Sequence, residues 1–440
     1  MKDLKESARQ IFLHTLKSLS VENLIKRKVE VRGNDMTLGG KSIDLSKFNN
    51  IVVLAIGKAS ISMTKALEIL LEDRLRPGLL VSDHISDIKV KSEIIVGGHP
   101  TPDSQSLNAG KRLIEIIQSL NSDSLIVFLI SGGGSALVEL PISDEITLGD
   151  IQGLNRTLVN CGASIHEINI VRKHLSRIKG GRLGYLAKDL PCIAIYLSDV
   201  NPGDIRSIAS NPLLPDNATL EEFHRVVEMY KLKERLPERI TRIIDEKRLP
   251  ALPHSWSSST GSMEILLLAD NHEVIDVAGE AARQSGFVVA IDRDNQEGHY
   301  PRVAETLINQ LKKLQSEFPD KRVCIVSGGE VSCPVEGDGL GGRNQEFVLY
   351  SAARLSEQYL DSKTAVLSCG TDGIDGNSNA TGALATDDMI HAAKKLGLDA
   401  SDFIRRNDSH TFFSIMGGLI QTGPAGNNLR DLRLFLSSPD

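Results

Sequence analysis

Residues 125–135, with the sequence LIVFLISGGGS, decide the fold class of this chain. Six apolar residues form an uninterrupted run, which Ser131-Gly132-Gly133-Gly134-Ser135 then ends. An apolar run of this length is typical of a strand buried on both faces, as in a parallel sheet between two layers of helices. The stretch therefore predicts a central parallel strand followed by a glycine-rich turn.

Similar apolar runs, each followed by a polar or glycine-rich turn, recur along the chain at 51–56, 192–197, 265–268, 323–326 and 365–367. Between them, helical patterns occur at 60–71, 108–120, 345–358 and 387–396. Alternating strands and helices predict an α/β fold, in which ligands bind beyond the carboxyl ends of the strands. Polar candidates fall at those ends: Lys58, Ser131 to Ser135, Asp199, Glu330 and Asp372.

The length of 440 residues favours two domains. The segment 236–261 is charged, then rich in proline, then rich in serine, which suggests a linker or a surface loop. We therefore predict an N-terminal domain at 1–250 and a C-terminal domain at 251–440.

Composition excludes several classes of protein. A net charge of -7 argues against a general binder of nucleic acid or of anionic membranes, because both need a positive field. No apolar run has membrane-spanning length, and residues 1–17 form an amphipathic surface helix, not a signal peptide. The five scattered cysteines suggest core thiols in a reducing compartment, so we expect a cytoplasmic protein. We also expect either a monomer or a homodimer.

Two glycine-rich turns are candidate anion sites. Around Gly132 to Gly134, the missing side chains let backbone N–H groups approach a phosphate, and we favour this cradle over an ordinary tight turn. Lys58 lies where a strand meets a helix and suits phosphate binding, although spacing alone favours a solvated lysine. The second turn, Ser327-Gly328-Gly329-Glu330, precedes Gly337-Asp338-Gly339-Leu340-Gly341-Gly342, which matches the G-x-G-x-x-G pattern weakly in isolation.

Carboxylates and basic residues complete the candidate set. Asp372 and Asp375 lie in one glycine-bracketed loop, with Asp387 and Asp388 beyond it, which suits either Mg²⁺ binding or ordinary turns. Asp199 ends a strand and is a candidate metal ligand, base or turn residue. The segment 172–182 is locally basic, and its alternative is a solvated helix face.

Taken together, these motifs resemble the type II glycerate kinase family, also known as the MOFRL family after its C-terminal domain. The matching segments occur in order: 55–59, 98–103, 130–137, 167–183, 197–200, 208–210, 327–330, 341–346, 370–376 and 422–424. The resemblance implies a Rossmann-like parallel sheet in the N-terminal domain, a mixed α/β C-terminal domain and a cleft between the domains. It also implies ATP- and Mg²⁺-dependent phosphorylation of D-glycerate at its 2-hydroxyl.

The resemblance also assigns roles to residues. It implies charge-stabilising catalytic roles for Lys58 and Arg343, and the family's glycine loop matches 132–135. On this basis we expect catalysis by Lys58, Arg343 and Asp199, and Mg²⁺ ligation by Asp372 and Asp199. The remaining expected contacts are to the nucleotide, from Gly132, Gly133, Gly134, Ser135, Gly329, Glu330 and Asn344, and to glycerate, from His174, Lys179 and Arg172.

Some positions depart from the family pattern. Asn211 stands where the family usually has glycine, Asn377-Ser378 where it has Pro-Thr, and Ala425 and Asn427 where it has threonines. If those threonine hydroxyls contact the substrate, the acceptor is a related small hydroxy acid.

Two other functions remain open. One is an NAD(P)-dependent hydroxypyruvate reductase, for which the support is the 337–342 pattern. The other is a module that binds nucleotides or sugar phosphates without turnover.

Overall fold

The computed structural model describes residues 3–255, 263–294, 296–357 and 362–439. Among these residues, no helix is both long and apolar enough to cross a membrane. All five cysteines are free thiols, as the sequence predicts.

The helices, in chain order, are α1 Leu4–Ser18, α2 Val21–Lys28, α3 Ser60–Leu71, α4 Ser104–Ser119, α5 Gly134–Leu137, α6 Leu148–Val159, α7 Ile165–His174, α8 Arg182–Leu186, α9 Leu220–Met229, α10 Glu238–Asp245, α11 Asn271–Gln284, α12 Tyr300–Glu317, α13 Arg343–Glu357, α14 Asp387–Lys395, α15 Ala400–Arg405 and α16 Ser409–Met416. The strands are β1 Val29–Arg32, β2 Asp35–Leu38, β3 Lys41–Asp44, β4 Asn50–Ile56, β5 Leu75–Ser82, β6 Glu93–Val96, β7 Ser124–Ile130, β8 Cys192–Leu197, β9 Met263–Ala269, β10 Val288–Asp292, β11 Gly298–His299, β12 Val323–Ser327, β13 Val331–Ser332, β14 Ser362–Gly370, β15 Gly382–Thr386, β16 Leu419–Ile420 and β17 Asp431–Pro439. Every strand predicted from an apolar run is present.

The chain divides into two compact units, Leu24–Leu268 and a second unit that joins Met1–Asn23 to Ala269–Asp440. The predicted division at 250/251 stays a prediction, and these units differ from it at both ends. The N-terminal helix α1 groups with the C-terminal half, because its buried face, which includes Leu4, Ala8 and Phe12, packs against α11, β14, β15 and β17.

The unit Leu24–Leu268 contains a six-stranded sheet in the order β6-β5-β4-β7-β8-β9. The pairings from β6 to β8 are parallel, and β7 is buried along its whole length, as its apolar run predicts. The strand order reverses between β4 and β7, and such a switch point is where open α/β sheets bind their ligands. A three-stranded antiparallel sheet, β1-β2-β3, precedes it and was not predicted.

The second unit contains a mixed sheet in the order β10-β12-β17-β14-β15-β16. Only β10 and β12 pair in parallel, and the other neighbours are antiparallel. This arrangement confirms the α/β fold class, with one Rossmann-like and one mixed sheet.

Part of the segment 236–261, predicted to be a linker or a surface loop, is helical, whereas residues 246–255 contain no helix or strand. Residues 238–245 form helix α10, whose apolar face is buried, and Leu249 and Leu252 are also buried. The serine-rich stretch from 256 onwards lies outside the described residues.

Candidate active site

The loops after β4 and β7 meet at the switch point of the parallel sheet. The Lys58 amide donates to the Gly132 carbonyl at 2.9 Å, and the Ala59 amide donates to the Ser131 hydroxyl at 3.1 Å. Gly57 has a positive φ of 126°, and a Cβ there would lie 2.2 Å from the Ser131 hydroxyl. Both the dihedral angle and the close approach therefore require glycine at 57.

Three side chains lie against this double loop. A Cβ at Gly132 would lie 1.9 Å from the Asp199 carboxylate, so Asp199 contacts the Gly132 backbone. A Cβ at Gly133 would lie 3.1 Å from Lys58 Cγ and 3.5 Å from the His99 ring. We call Lys58, His99, Gly132, Gly133 and Asp199 the glycine-loop cluster. It places a cation, an imidazole and a carboxylate around the backbone of Gly132 and Gly133.

His99 belongs to this cluster, although the sequence did not identify it as a site residue. Its turn is fixed at the N-terminus of α4, where the Ser106 hydroxyl accepts from the Gly98 amide at 3.0 Å. Burial first and the charge of Lys58 second lower the pKa of His99, which keeps the imidazole neutral at neutral pH. The signal for His99 in the sequence is its place in the segment 98–103, which resembles the family.

Ser135 is held by a short chain of polar side chains. Its hydroxyl lies 2.7 Å from the Ser210 hydroxyl, which donates to Asn169 Oδ1 at 3.1 Å. Ala209, Ser210 and Asn211 all have positive φ, near 50–57°. Three consecutive non-glycine residues in this region represent stored strain of a kind that occurs at functional sites.

Asn211 explains one departure from the family pattern. Its φ of 52° is left-handed, a region that asparagine and aspartate adopt more readily than most other non-glycine residues. Its side chain bonds the amide and carbonyl of Leu214 and the carboxylate of Asp216. Asparagine therefore satisfies the backbone requirement that glycine meets in the family.

The three predicted glycerate ligands in the basic segment differ in their burial. His174 is fully buried beside Phe223, and Lys179 is buried in an ion pair with Glu139. The geometry gives no support to either as a substrate ligand, because neither reaches solvent. Arg172 is half-buried, and its Nε has no hydrogen-bond partner among the described residues, so it stays a candidate.

In the second unit, Arg343 begins α13 and forms ion pairs with two carboxylates. Its Nε and Nη2 donate to the two oxygens of Asp431, each at 2.9 Å, and its Nη1 lies 3.1 Å from Glu330. Burial alone would lower the pKa of Arg343, but Asp431 and Glu330 raise it well above its ordinary value. We call Arg343, Asp431, Glu330 and Asn344 the arginine cluster.

Asn344 and Gly329, both expected to bind the nucleotide, have internal partners instead. Asn344 is fully buried, and its side chain bonds Asp375, Asp431 and Ser368. The Gly329 amide donates to Asn271 Oδ1 at 2.7 Å. These contacts give the two residues structural roles. Glu330 pairs with Arg343, as a positioning partner would.

The aspartates that follow Asp372 in the sequence do not form a metal site with it among the described residues. Asp375 is buried and accepts from the Asn344 and Gln345 amides, so it caps α13. Asp387 and Asp388 follow the far end of β15, roughly 16 Å from its start at about 3.3 Å per residue over five residues. Among the described residues, no three His, Cys, Asp or Glu side chains group together as a metal site. Asp372 is half-buried and lies just beyond the end of β14.

The G-x-G-x-x-G match at 337–342 is not a dinucleotide loop. The strand before it, β13, has two residues and pairs only with β11. Cβ atoms at Gly337 and Gly342 would lie 2.2 Å from the Arg406 carbonyl and 2.4 Å from Asp375. The glycines therefore permit packing within the protein, where a Rossmann loop would leave room for a pyrophosphate.

The two residues that replace family threonines, Ala425 and Asn427, differ in burial and in their contacts. Asn427 is buried, and its Nδ2 donates to the Leu19 carbonyl at 3.0 Å, which ties it to the end of α1. Ala425 is exposed, and its amide donates to the Asp372 carbonyl at 2.9 Å. Of the two positions, only Ala425 lies where a missing hydroxyl would change the surface beside Asp372.

Two family models match the sequence. One, described as "Domain of unknown function (DUF4147)", covers residues 7–245, and the other, described as "MOFRL family", covers residues 323–431.

Similar proteins and structures span almost the whole chain. A D-glycerate 2-kinase from Thermotoga maritima is 32% identical over 433 residues, covering 96% of this chain and 98% of the relative. A relative from Agrobacterium vitis named "Putative hydroxypyruvate reductase" is 33% identical, covering 88% of this chain and 98% of its own length. The crystal structure of the glycerate kinase from Thermotoga maritima superposes with a TM-score of 0.85 at 32% identity, covering 98% of this chain and 99% of that chain.

Proposed function

The chain belongs to the MOFRL family of glycerate kinases, and we propose that it transfers the γ-phosphoryl group of ATP to the 2-hydroxyl of D-glycerate, giving 2-phosphoglycerate. The observation that carries the proposal is the glycine-loop cluster. Asp199 lies against Gly132, and the Lys58 side chain lies against Gly133, at the switch point of the sheet. Such an arrangement supplies a cation for phosphate and a carboxylate for an alcohol proton in one place.

The reaction needs little covalent chemistry from the protein. The 2-hydroxyl oxygen attacks the γ-phosphorus, the bond from that phosphorus to the bridging oxygen breaks, and ADP leaves. Asp199 accepts the hydroxyl proton, while Lys58 and the backbone amides around Gly133 stabilise the negative oxygens of the transferring group. Catalysis then rests on positioning and charge stabilisation.

Arg343 is proposed to supply a second positive charge. A guanidinium has five N–H donors, and three of them engage Asp431 and Glu330. Two donors remain, which is enough for a bidentate contact with a phosphoryl group. The Arg343 side chain is 29% exposed.

Mg²⁺ fits the residues as an ion shared with the nucleotide. Magnesium commonly uses one or two protein carboxylates and takes its other ligands from phosphates and water. Asp199, beyond the end of β8, and Asp372, beyond the end of β14, are each proposed as a candidate carboxylate. When bound, the ion would neutralise charge on the phosphates of ATP.

For the acceptor, Arg172 is the proposed carboxylate ligand, because it is partly exposed whereas His174 and Lys179 are buried. Glycerate stays the proposed substrate. Asn427 turns to Leu19, so its replacement of threonine does not by itself argue for another acid, and Ala425, exposed beside Asp372, is the replacement that a panel of hydroxy acids tests.

The test is an ATP and Mg²⁺ assay against a panel of small hydroxy acids, with ³¹P NMR to identify the phosphorylated position. We expect turnover of D-glycerate to 2-phosphoglycerate. We also expect Arg343→Ala to lower kcat by a factor on the order of 10³, by analogy with arginine fingers. Near wild-type turnover in that variant would remove Arg343 from the mechanism.

A hydroxypyruvate reductase is the second candidate, because the Agrobacterium vitis relative carries that name. The closed packing of 337–342 removes its sequence support. Steady oxidation of reduced nicotinamide with hydroxypyruvate, in the absence of ATP, would favour the reductase over the kinase.

A further inference from the structure

The carboxylate that holds Arg343 is more firmly fixed than the arginine itself. Asp431 is fully buried, whereas the Arg343 side chain is partly exposed. Asp431 Oδ1 also accepts from Asn344 Nδ2 at 3.1 Å, and the Asp431 carbonyl accepts from the buried side chain of Asn271. Because Asp431 opens β17, an inner strand of the mixed sheet, its backbone is fixed by β14 as well.

The contact between Arg343 and Asp431 is bidentate, and we call it the fork. Two parallel N–H···O bonds, from Nε and Nη2, define the plane and direction of the guanidinium in a way that one bond does not. Glu330 adds a third contact, but it is 40% exposed and is shared with Arg430. Asp431 is therefore the partner that fixes the orientation of Arg343.

Charge points the same way. Burial alone would raise the pKa of Asp431, but the positive charge and hydrogen bonds of Arg343, aided by Arg433 and Asn344, hold it below the ordinary value. The carboxylate thus stays ionised at every pH at which a kinase would be assayed. It compensates the arginine charge through its bonds to Nε and Nη2.

We propose that Asp431 is the positioning residue of the phosphoryl-transfer reaction: its buried carboxylate aims the two remaining donors of Arg343 at the transferring group. This inference rests on the proposed kinase function and on Arg343 acting in it. It assigns Asp431 no contact with either substrate.

The test is a double-mutant cycle on kcat with Asp431→Asn and Arg343→Ala. Asparagine keeps the size of the side chain but offers only one acceptor oxygen to the fork. We expect Asp431→Asn to lower kcat about 10²-fold, the cost of misplacing a reacting group by about 1 Å, with KM for ATP changed less than about threefold. In the Arg343→Ala background the same change should cost less than about threefold, because there is no guanidinium left to aim.

The matched control is Glu305→Gln, which removes the carboxylate that bonds Arg354 Nε on the same helix α13. It should leave kcat unchanged. An Asp431→Asn loss that persists in full in the Arg343→Ala background would overturn the proposal, and so would wild-type kcat in the single variant.

Arg343→Lys provides a second test if Asp431→Asn does not fold. Lysine keeps the charge but cannot form the fork, so we expect a kcat loss close to that of Arg343→Ala. Wild-type kcat in Arg343→Lys would also overturn the inference. Failure of the proposed function looks different: the wild-type protein itself would not phosphorylate glycerate.

Discussion

Gly132→Ala is the sharpest perturbation that the structure offers. A Cβ at this position would lie 1.9 Å from Asp199 Oδ2 and 2.4 Å from its Cγ, whereas ordinary contacts begin near 3.4 Å. The Asp199 carboxylate, on a short side chain at the end of β8, must therefore retreat by about 1.5 Å. A displacement of about 1 Å in a reacting group costs about 10²-fold in rate, so we expect kcat to fall by at least that factor, or about 2.7 kcal/mol.

The assay is steady-state phosphorylation of D-glycerate, accompanied by thermal unfolding to detect loss of structure. Gly149→Ala in helix α6 is the control, because its nearest atom would be 3.8 Å away, and it should leave kcat unchanged. In an Asp199→Ala background the clash with the carboxylate is gone, so Gly132→Ala should add less than about threefold.

Two results would refute this reasoning. One is a Gly132→Ala variant with kcat within about threefold of the wild type. The other is an equal loss with and without the Asp199 side chain, which would mean that Gly132 matters for another reason.

Three further predictions concern single residues. His99→Ala should lower kcat/KM about tenfold across pH 6.5 to 9, since burial and Lys58 lower the pKa of this imidazole, while the nearby exposed control His84→Ala should not. Glu346 is buried, and burial raises its pKa from 4.5 to about 7, so the free energy of unfolding should fall as pH rises across that window. Glu346→Gln should flatten that fall and stabilise the protein at pH 8 by up to about 3 kcal/mol, measured by urea unfolding; an unchanged pH profile would contradict this. Asn211→Ala should lower the unfolding free energy by about 3 kcal/mol through three lost hydrogen bonds, and unaltered stability would contradict the role of its side chain.

The sequence predicted the parts of the fold that local patterns encode. Apolar runs such as the one that became β7 are buried on both faces, so their composition alone marks them as central strands. The glycine turn after β7 and the lysine after β4 were also predicted to lie at the ligand-binding edge of the sheet, because the carboxyl ends of parallel strands share one edge. That Lys58 and Asp199 lie against the same loop follows from strand order, which required the structure.

Long-range pairing explains what the sequence could not predict. Asp431 lies far from Arg343 in the chain, and nothing around it marks it as a partner until β17 is placed in the sheet. Lys179 was predicted to be a ligand because it lies in a locally basic segment, yet it pairs with Glu139, which is distant in sequence. The aspartates at 387 and 388 seemed close to Asp372 only because the length of β15 was not known.

The position of β17 has a consequence for folding during synthesis. This strand follows every other strand in the sequence, yet it lies between β12 and β14 in the mixed sheet. At about 5–20 residues per second, the ribosome finishes the unit Leu24–Leu268 well before β17 emerges. Helix α1 is made first, but its partners α11, β14, β15 and β17 all emerge after the unit Leu24–Leu268, so we expect chaperone contacts on nascent chains to concentrate at α1.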